Sequence, residues 1–280
     1  MRRHCAGVKA RARTRNGRYA AVRLGGSGRR DVGIATARGS SGRAAVRAPP
    51  YAPGVAEAAL IRTEPPDERG VARLVLDRPE RRNALSIELR DRVSEAVGEL
   101  AADDATKVLV LTGAGETFSA GFDLAEFTDP AVDQDELWAS SDRFHHAVLR
   151  APFATVAAVN GPAIAGGFDL AVLCDLRVAS STAWFSHPEV AFGDVVYSPL
   201  REVIGGAVAR ELCLTGRRVE AAEALALHLV SSVHPPSELS AAADALAASI
   251  AAAPADLLRR TKAKIVARTD IDAGTRTLDL

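Results

Sequence analysis

Hydrophobic and polar residues fall into regular patterns from residue 71 onward. The run VARLVLD, residues 71 to 77, is apolar and β-branched and predicts a strand. After a loop, Ser86 is placed to cap a helix whose Leu89, Val93 and Val97 share one face, with Glu88 in the first turn, where a negative charge suits the helix dipole. KVLVLT, residues 107 to 112, predicts a second strand, residues 134 to 149 a helix, and ATVAAV, residues 154 to 159, a third strand. The apolar run 151 to 173 has the length of a membrane span. Asn160, Asp169, two prolines and three glycines interrupt it, so it reads as buried strand, turn and buried helix. Beyond residue 200 the pattern is mostly helical, with an Ala-rich helix over 240 to 252 and a last one near 255 to 268. No sequence repeat recurs at a fixed period. Strands alternating with helices predict an α/β fold.

The first 54 residues are a different polymer. They hold 12 arginines and Lys9 against the single acid Asp31, a charge of +12, while the rest of the 280-residue chain carries 22 basic and 34 acidic residues, or −12. Rich in Arg, Gly, Ala and Ser and ending in RAPPYAPG, this segment is expected to be a disordered basic tail and linker. Upstream sequence read from a misplaced start, or a plain tail, ranks first. A transit peptide ranks second, its glycines weakening the helix it would need, and a nucleic-acid arm third, since Tyr19 is the only aromatic among the arginines. The organisation expected is therefore tail 1–54, core 55–235 and C-terminal helical region 236–280. Cys5, Cys174 and Cys213 are too few and too scattered for a disulfide framework or a zinc site, which fits a cytoplasmic protein with no metal.

Two glycine-containing turns carry the candidate chemistry: Ser119-Ala120-Gly121 after the second strand and Ala165-Gly166-Gly167 after the third, followed by the acids Asp123 and Asp169. Small residues let backbone approach a ligand, and the first amides of a helix have no partner in the chain. Two such amides facing each other would hold an anionic oxygen, a donor in that role being worth about 3 kcal/mol to a transition state. The alternative for either turn alone is close strand–helix packing. TFSAG lacks the first glycine of a nucleophile elbow, because Thr117 stands there. His145 and His146 read as surface or core, and His187, two residues from Glu189, as a pocket residue.

RPERRNAL (78–85), FSAGFDLAEF (118–127), AAVNGPAIAGGFDLAVLCDLRVAS (157–180), FSHPEVAFG (185–193) and LTGRRVEAAEALALHLV (214–230) together resemble the enoyl-CoA hydratase/isomerase, or crotonase, superfamily over about residues 70 to 235. The resemblance implies a crotonase-like spiral of ββα units, an acyl-CoA substrate that brings coenzyme A as its own carrier with no separate cofactor, and an enolate held by two backbone amides. On the family pattern those amides match Ala120 and Gly166, and two proton-handling acids match Asp169 and Glu189. Arg82, Ala84, Leu85, Ser119, Phe122, Asp123, Leu124, Gly167 and Pro188 match positions around the substrate. The implied reaction is hydration of a 2-enoyl-CoA. The alternatives are isomerisation or thioester hydrolysis with Glu189 acting alone, and RNA binding through the basic tail. A membrane partner is not expected.

This chain departs from the family pattern in four respects. Asp169 is one methylene shorter than the usual Glu. The loop after Gly193, DVVYSPLREVIGG, is about four residues short, the C-terminal helical region is reduced, and the tail has no counterpart. Leu258, Ile265 and Val266 form an apolar stripe on the last helix that a neighbouring copy would cover, so a homotrimer or hexamer assembled through residues after about 240 is expected.

Overall fold

An exposed strand, β1 (Ile61–Glu64), pairs antiparallel with β2 (Val71–Leu76), and from β2 onward the long strands run parallel. The computed structural model describes residues 59–269 and 271. The basic tail 1–54, and the RNA-binding alternative resting on it, lie outside the described residues.

Each later turn of the chain adds a long strand, a short strand or bridge, and helix. β2 leads through Leu85 to α1 (Ile87–Ala102), and β3 (Val108–Gly113) leads through residues 118 to 122 to α2 (Leu124–Thr128) and α3 (Gln134–Leu149). Next, β4 (Ala154–Val159) leads through β5 (Ala163–Ile164) to α4 (Gly166–Leu173). β6 (Leu176–Ser180) and β7 (Trp184–Ser186) run through a 3-10 turn, Pro188–Ala191, to α5 (Ser198–Ile204) and α6 (Gly206–Thr215). β8 (Val219–Glu220), α7 (Ala221–Ala226), β9 (Ser232–His234), α8 (Leu239–Ala251) and α9 (Ala255–Val266) complete the described chain.

The long strands form one six-stranded sheet in the order β1-β2-β3-β4-β6-β9, and β5, β7 and β8 a second of three strands. Bridges Leu85–Phe122 and Ser119–Ala163 extend the second ladder across the earlier units. This is the spiral of ββα units. The units begin at residues 71, 108, 154 and 176, so their insertions differ in length and no fixed period marks them in the sequence.

Apolar runs buried on both faces explain the parallel strands. Leu74, Leu76, Leu109 and Leu111 face a core shared with α1, α3 and α4, while Val108, Val110, Val156 and Val178 face the Ala-rich side of α8. Alanines 243, 247 and 251 let that helix lie close against the sheet. Ser86 caps α1 by accepting a hydrogen bond from the Leu89 amide, as the pattern predicts.

Candidate active site

The turns that follow the short strands of the second and third units lie side by side. Ser119 O accepts from the Ile164 amide at 3.0 Å, which zips the two together. The approach is close enough to require glycine. Gly121 has φ +85°, and a Cβ there would lie 2.7 Å from Ile164 O; one on Gly167 would lie 2.5 Å from Ser119 O. Ala165 takes φ 51°, ψ −127°, a strained backbone for an L-residue costing about 1–3 kcal/mol. It is held there by its amide to Ser186 O and by its carbonyl, which accepts from Phe168 and Asp169.

Which amides remain open differs from the family match. The Ala120 amide donates to Arg82 O at 2.9 Å, so it has no proton to offer a ligand. The amides of Phe122, two positions along, and of Gly166 and Gly167 at the start of α4 have no acceptor among the described residues. Phe122 touches Gly166 directly, since a Cβ on that glycine would meet the ring at 2.8 Å. The cause is local: in the parallel bridge to Leu85, the Leu85 amide donates to Gly121 O and the Asp123 amide to Leu85 O, so the Phe122 amide between them is left out of the ladder.

Arg82, Ala84, Ala120, Phe122, Asp123 and Leu124 do come together, lining a cleft of about 330 Å³ with Glu80 and Arg81. Leu85 and Ser119 do not line it. Both are fully buried; Leu85 belongs to the core and the Ser119 hydroxyl donates to Asn83 O and accepts from the Gly121 amide. Asp123 caps α2 and pairs with Arg78 at 2.8 Å; burial pushes its carboxyl up, but the Arg78 hydrogen bond, the Ala125 amide and the charges of Arg78 and Arg81 together outweigh it and the pKa falls. It is therefore not the counterpart of Asp169 that sequence spacing suggests. Asn83, unremarked in the sequence, organises the whole turn. Its buried amide donates to Ala114 O at 2.9 Å and Thr117 O at 2.7 Å, and its oxygen accepts from the Arg78 amide.

Phe122 is also clamped from its outer side. The guanidinium of fully buried Arg90 lies 4.4 Å from the ring centroid, and His145 stacks on it at 6.0 Å. Burial drives the His145 pKa down to about 3, so it packs as a neutral ring.

The second short ladder brings the acids together. Asp169 sits in the first turn of α4, 4% exposed, and Glu189 in the 3-10 turn that Pro188 begins. Between them lies His187, with Nδ1 2.8 Å from Glu189 Oε1 and Nε2 3.8 Å from Asp169 Oδ1. Burial pushes the Asp169 carboxyl up to about 7, with the Glu189 charge adding and His187 opposing. For His187, burial pulls downward, but the Glu189 hydrogen bond and the two acids outweigh it and its pKa is raised. Asp169 Oδ1, Glu189 Oε2 and His187 Nε2 are buried without a hydrogen-bond partner among the described residues. One atom from each side chain lies within 4.8 Å of the others, so the three groups share one small space. The larger cleft, about 420 Å³, lies between α9 and the far end of α4, around Cys174 and Asp175, away from these acids.

The enoyl-CoA hydratase/isomerase family profile matches residues 67–280. A Thermus thermophilus protein, provisionally named an enoyl-CoA hydratase, is 42% identical over 208 residues, 71% of this chain and 82% of that protein. Among solved structures, a Mycobacterium smegmatis enoyl-CoA hydratase is 32% identical with a TM-score of 0.69, covering 76% of this chain and 84% of that one. A Thermobifida fusca protein, provisionally named an enoyl-CoA hydratase and solved in complex with CoA, is 38% identical with a TM-score of 0.68 over 76% and 87% of the two chains.

Proposed function

Because the chain belongs to the enoyl-CoA hydratase/isomerase family and has a hydratase-type function, we propose that Asp169 and Glu189 add water across the double bond of a 2-enoyl-CoA while the Phe122 and Gly166 amides hold its thioester oxygen. The observation that carries this reading is buried Asp169 beside half-buried Glu189, each with one buried oxygen lacking a partner, next to a helix start that keeps its first amides open. One carboxylate oxygen of each acid lies within 4.8 Å of one of the other, a span that a single water hydrogen-bonded to both at about 2.8 Å bridges.

In the proposed step the water oxygen bonds to C3 of the acyl group as one water proton passes to Glu189. The C2–C3 π electrons move onto the thioester oxygen, which the two amides stabilise. Glu189 then delivers the proton to C2 and the enolate collapses, so no net proton is taken up. Asp169 accepts the second water hydrogen or donates its own, according to its protonation at neutral pH. The acyl thioester enters through the cleft lined by Arg82, Ala84, Phe122 and Leu124, where the CoA portion remains.

Glu189→Gln and Asp169→Asn are each expected to lower kcat for hydration at least ~100-fold, measured with 2-enoyl-CoA substrates. Full hydration by Asp169→Asn assigns the proton shuttle to Glu189 alone, the arrangement an isomerase needs. We further propose a homotrimer or hexamer, supported by Leu257 and Ile265, which are 47% and 49% exposed on α9. Sedimentation of the active protein as a monomer would refute it.

A further inference from the structure

The hydration reading needs two acids, yet the structure puts a third titratable group between them. His187 is 1% exposed, and its ring is stacked 4.5 Å from Phe168, so it cannot swing into solvent. A carboxylate can only accept, so the 2.8 Å contact to Glu189 Oε1 places the imidazole proton on Nδ1. That leaves Glu189 Oε2 as its open oxygen. It also leaves Nε2 facing Asp169 Oδ1, 3.8 Å away and without another partner.

Resting on that reading, we propose that His187 is a positioning residue that fixes which oxygen of Glu189 meets the substrate and shares a proton with Asp169. A neutral Asp169 donates to a bare Nε2, and an ionised Asp169 accepts from a protonated one. Either way the Nε2–Asp169 pair holds one proton, and a shift of about 1 Å closes their gap to hydrogen-bond length. The consequence is that the two carboxylates do not face each other as bare like charges, which would force one to protonate. The groups facing the imidazole are Asp169 from α4, Glu189 from its own turn and, beyond them, Cys213 from α6. Burial pushes the Cys213 thiol up to about 11, so it stays neutral throughout.

The test is a pair of variants read by kcat, KM and pH profile, alongside Glu189→Gln and Asp169→Asn. His187→Leu keeps bulk but removes both nitrogens; kcat is expected to fall ~30-fold or more with KM changed by less than ~3-fold, since the CoA contacts are elsewhere. His187→Gln restores an N–H for Glu189 and cannot titrate. It is expected to recover kcat to within ~5-fold of the parent while one of the two ionisations bounding the kcat–pH profile moves or disappears. If His187→Leu is unstable, the His187→Gln profile and a proton NMR titration of the ring in the parent, expected above the ordinary histidine range, carry the test. An unaltered pH profile in His187→Gln, or parental kcat in a folded His187→Leu, overturns the proposal. If instead Glu189→Gln and Asp169→Asn keep full activity, it is the hydration reading that fails.

Discussion

Two aspartates lie six residues apart at opposite ends of α4, and their surroundings are opposite in kind. Asp175, past the C-terminal end, has both oxygens satisfied: Lys262 donates to Oδ1 at 2.6 Å, and the Thr155 amide and hydroxyl donate to Oδ2 at 2.8 and 3.0 Å. Asp169, at the N-terminal end, has a buried oxygen with no donor and only a titratable neighbour 3.8 Å away. The first acid ties α9 and β4 to the end of the helix. The second keeps an oxygen open, the one assigned to water in the proposed hydration, and folding bears the cost of its desolvation. Burial alone does not tell a satisfied acid from one left open; the set of donors around it does.

Breaking the satisfied pair should have the largest effect on stability. Lys262→Met leaves the Asp175 carboxylate without its cation and is expected to cost about 3 kcal/mol, seen as a lower midpoint in urea unfolding, with kcat of the folded fraction unchanged. Removing charge from the two aspartates should act in opposite directions. Asp175→Asn destabilises. Asp169→Asn stabilises, because a carboxyl raised to about 7 in the folded protein contributes stability below its unfolded value near 4 and loses it as pH climbs through 7. Thermal unfolding should therefore show the Asp169→Asn variant gaining a few degrees over the parent above pH 7 and little below pH 4. A parent whose Tm relative to that variant is flat across this range would show that Asp169 is not desolvated.

Smaller effects sharpen the contrast between the site and its scaffold. Gly121→Ala must place a Cβ at φ +85° against the neighbouring turn; it is expected to cost about 1–2 kcal/mol and to lower kcat, since the Phe122 amide is displaced with it. Ser86→Ala, far from the acids, removes only the cap of α1 and should cost about 1 kcal/mol with kcat unchanged, measured by urea unfolding and steady-state assay.

Several elements were legible because a local rule produces them. α3 spans Gln134–Leu149 and β4 Ala154–Val159, the ranges their periodicity predicts, and α1 begins at its Ser86 cap. β5, β7, β8 and β9 were not, because strands of two or three residues carry no pattern and exist only where a neighbouring turn of the spiral offers them a partner. The same holds at the site: Asp169 and Glu189 stood out as acids in apolar or proline-led contexts, whereas Asn83 looked like any loop residue until its amide met three carbonyls more than 30 residues away.

The sequence by itself determined the alternating strands and helices, the two small-residue turns and the acids beside them, because helix periodicity, capping and glycine's missing Cβ act over a few residues. Only the tertiary structure decided that Phe122 rather than Ala120 keeps an open amide, that Asp123 is spent on Arg78, and that His187 stands between two acids. Each of those depends on which partner arrives from a distant turn of the chain, and an amide or carboxylate is free for chemistry only when none does.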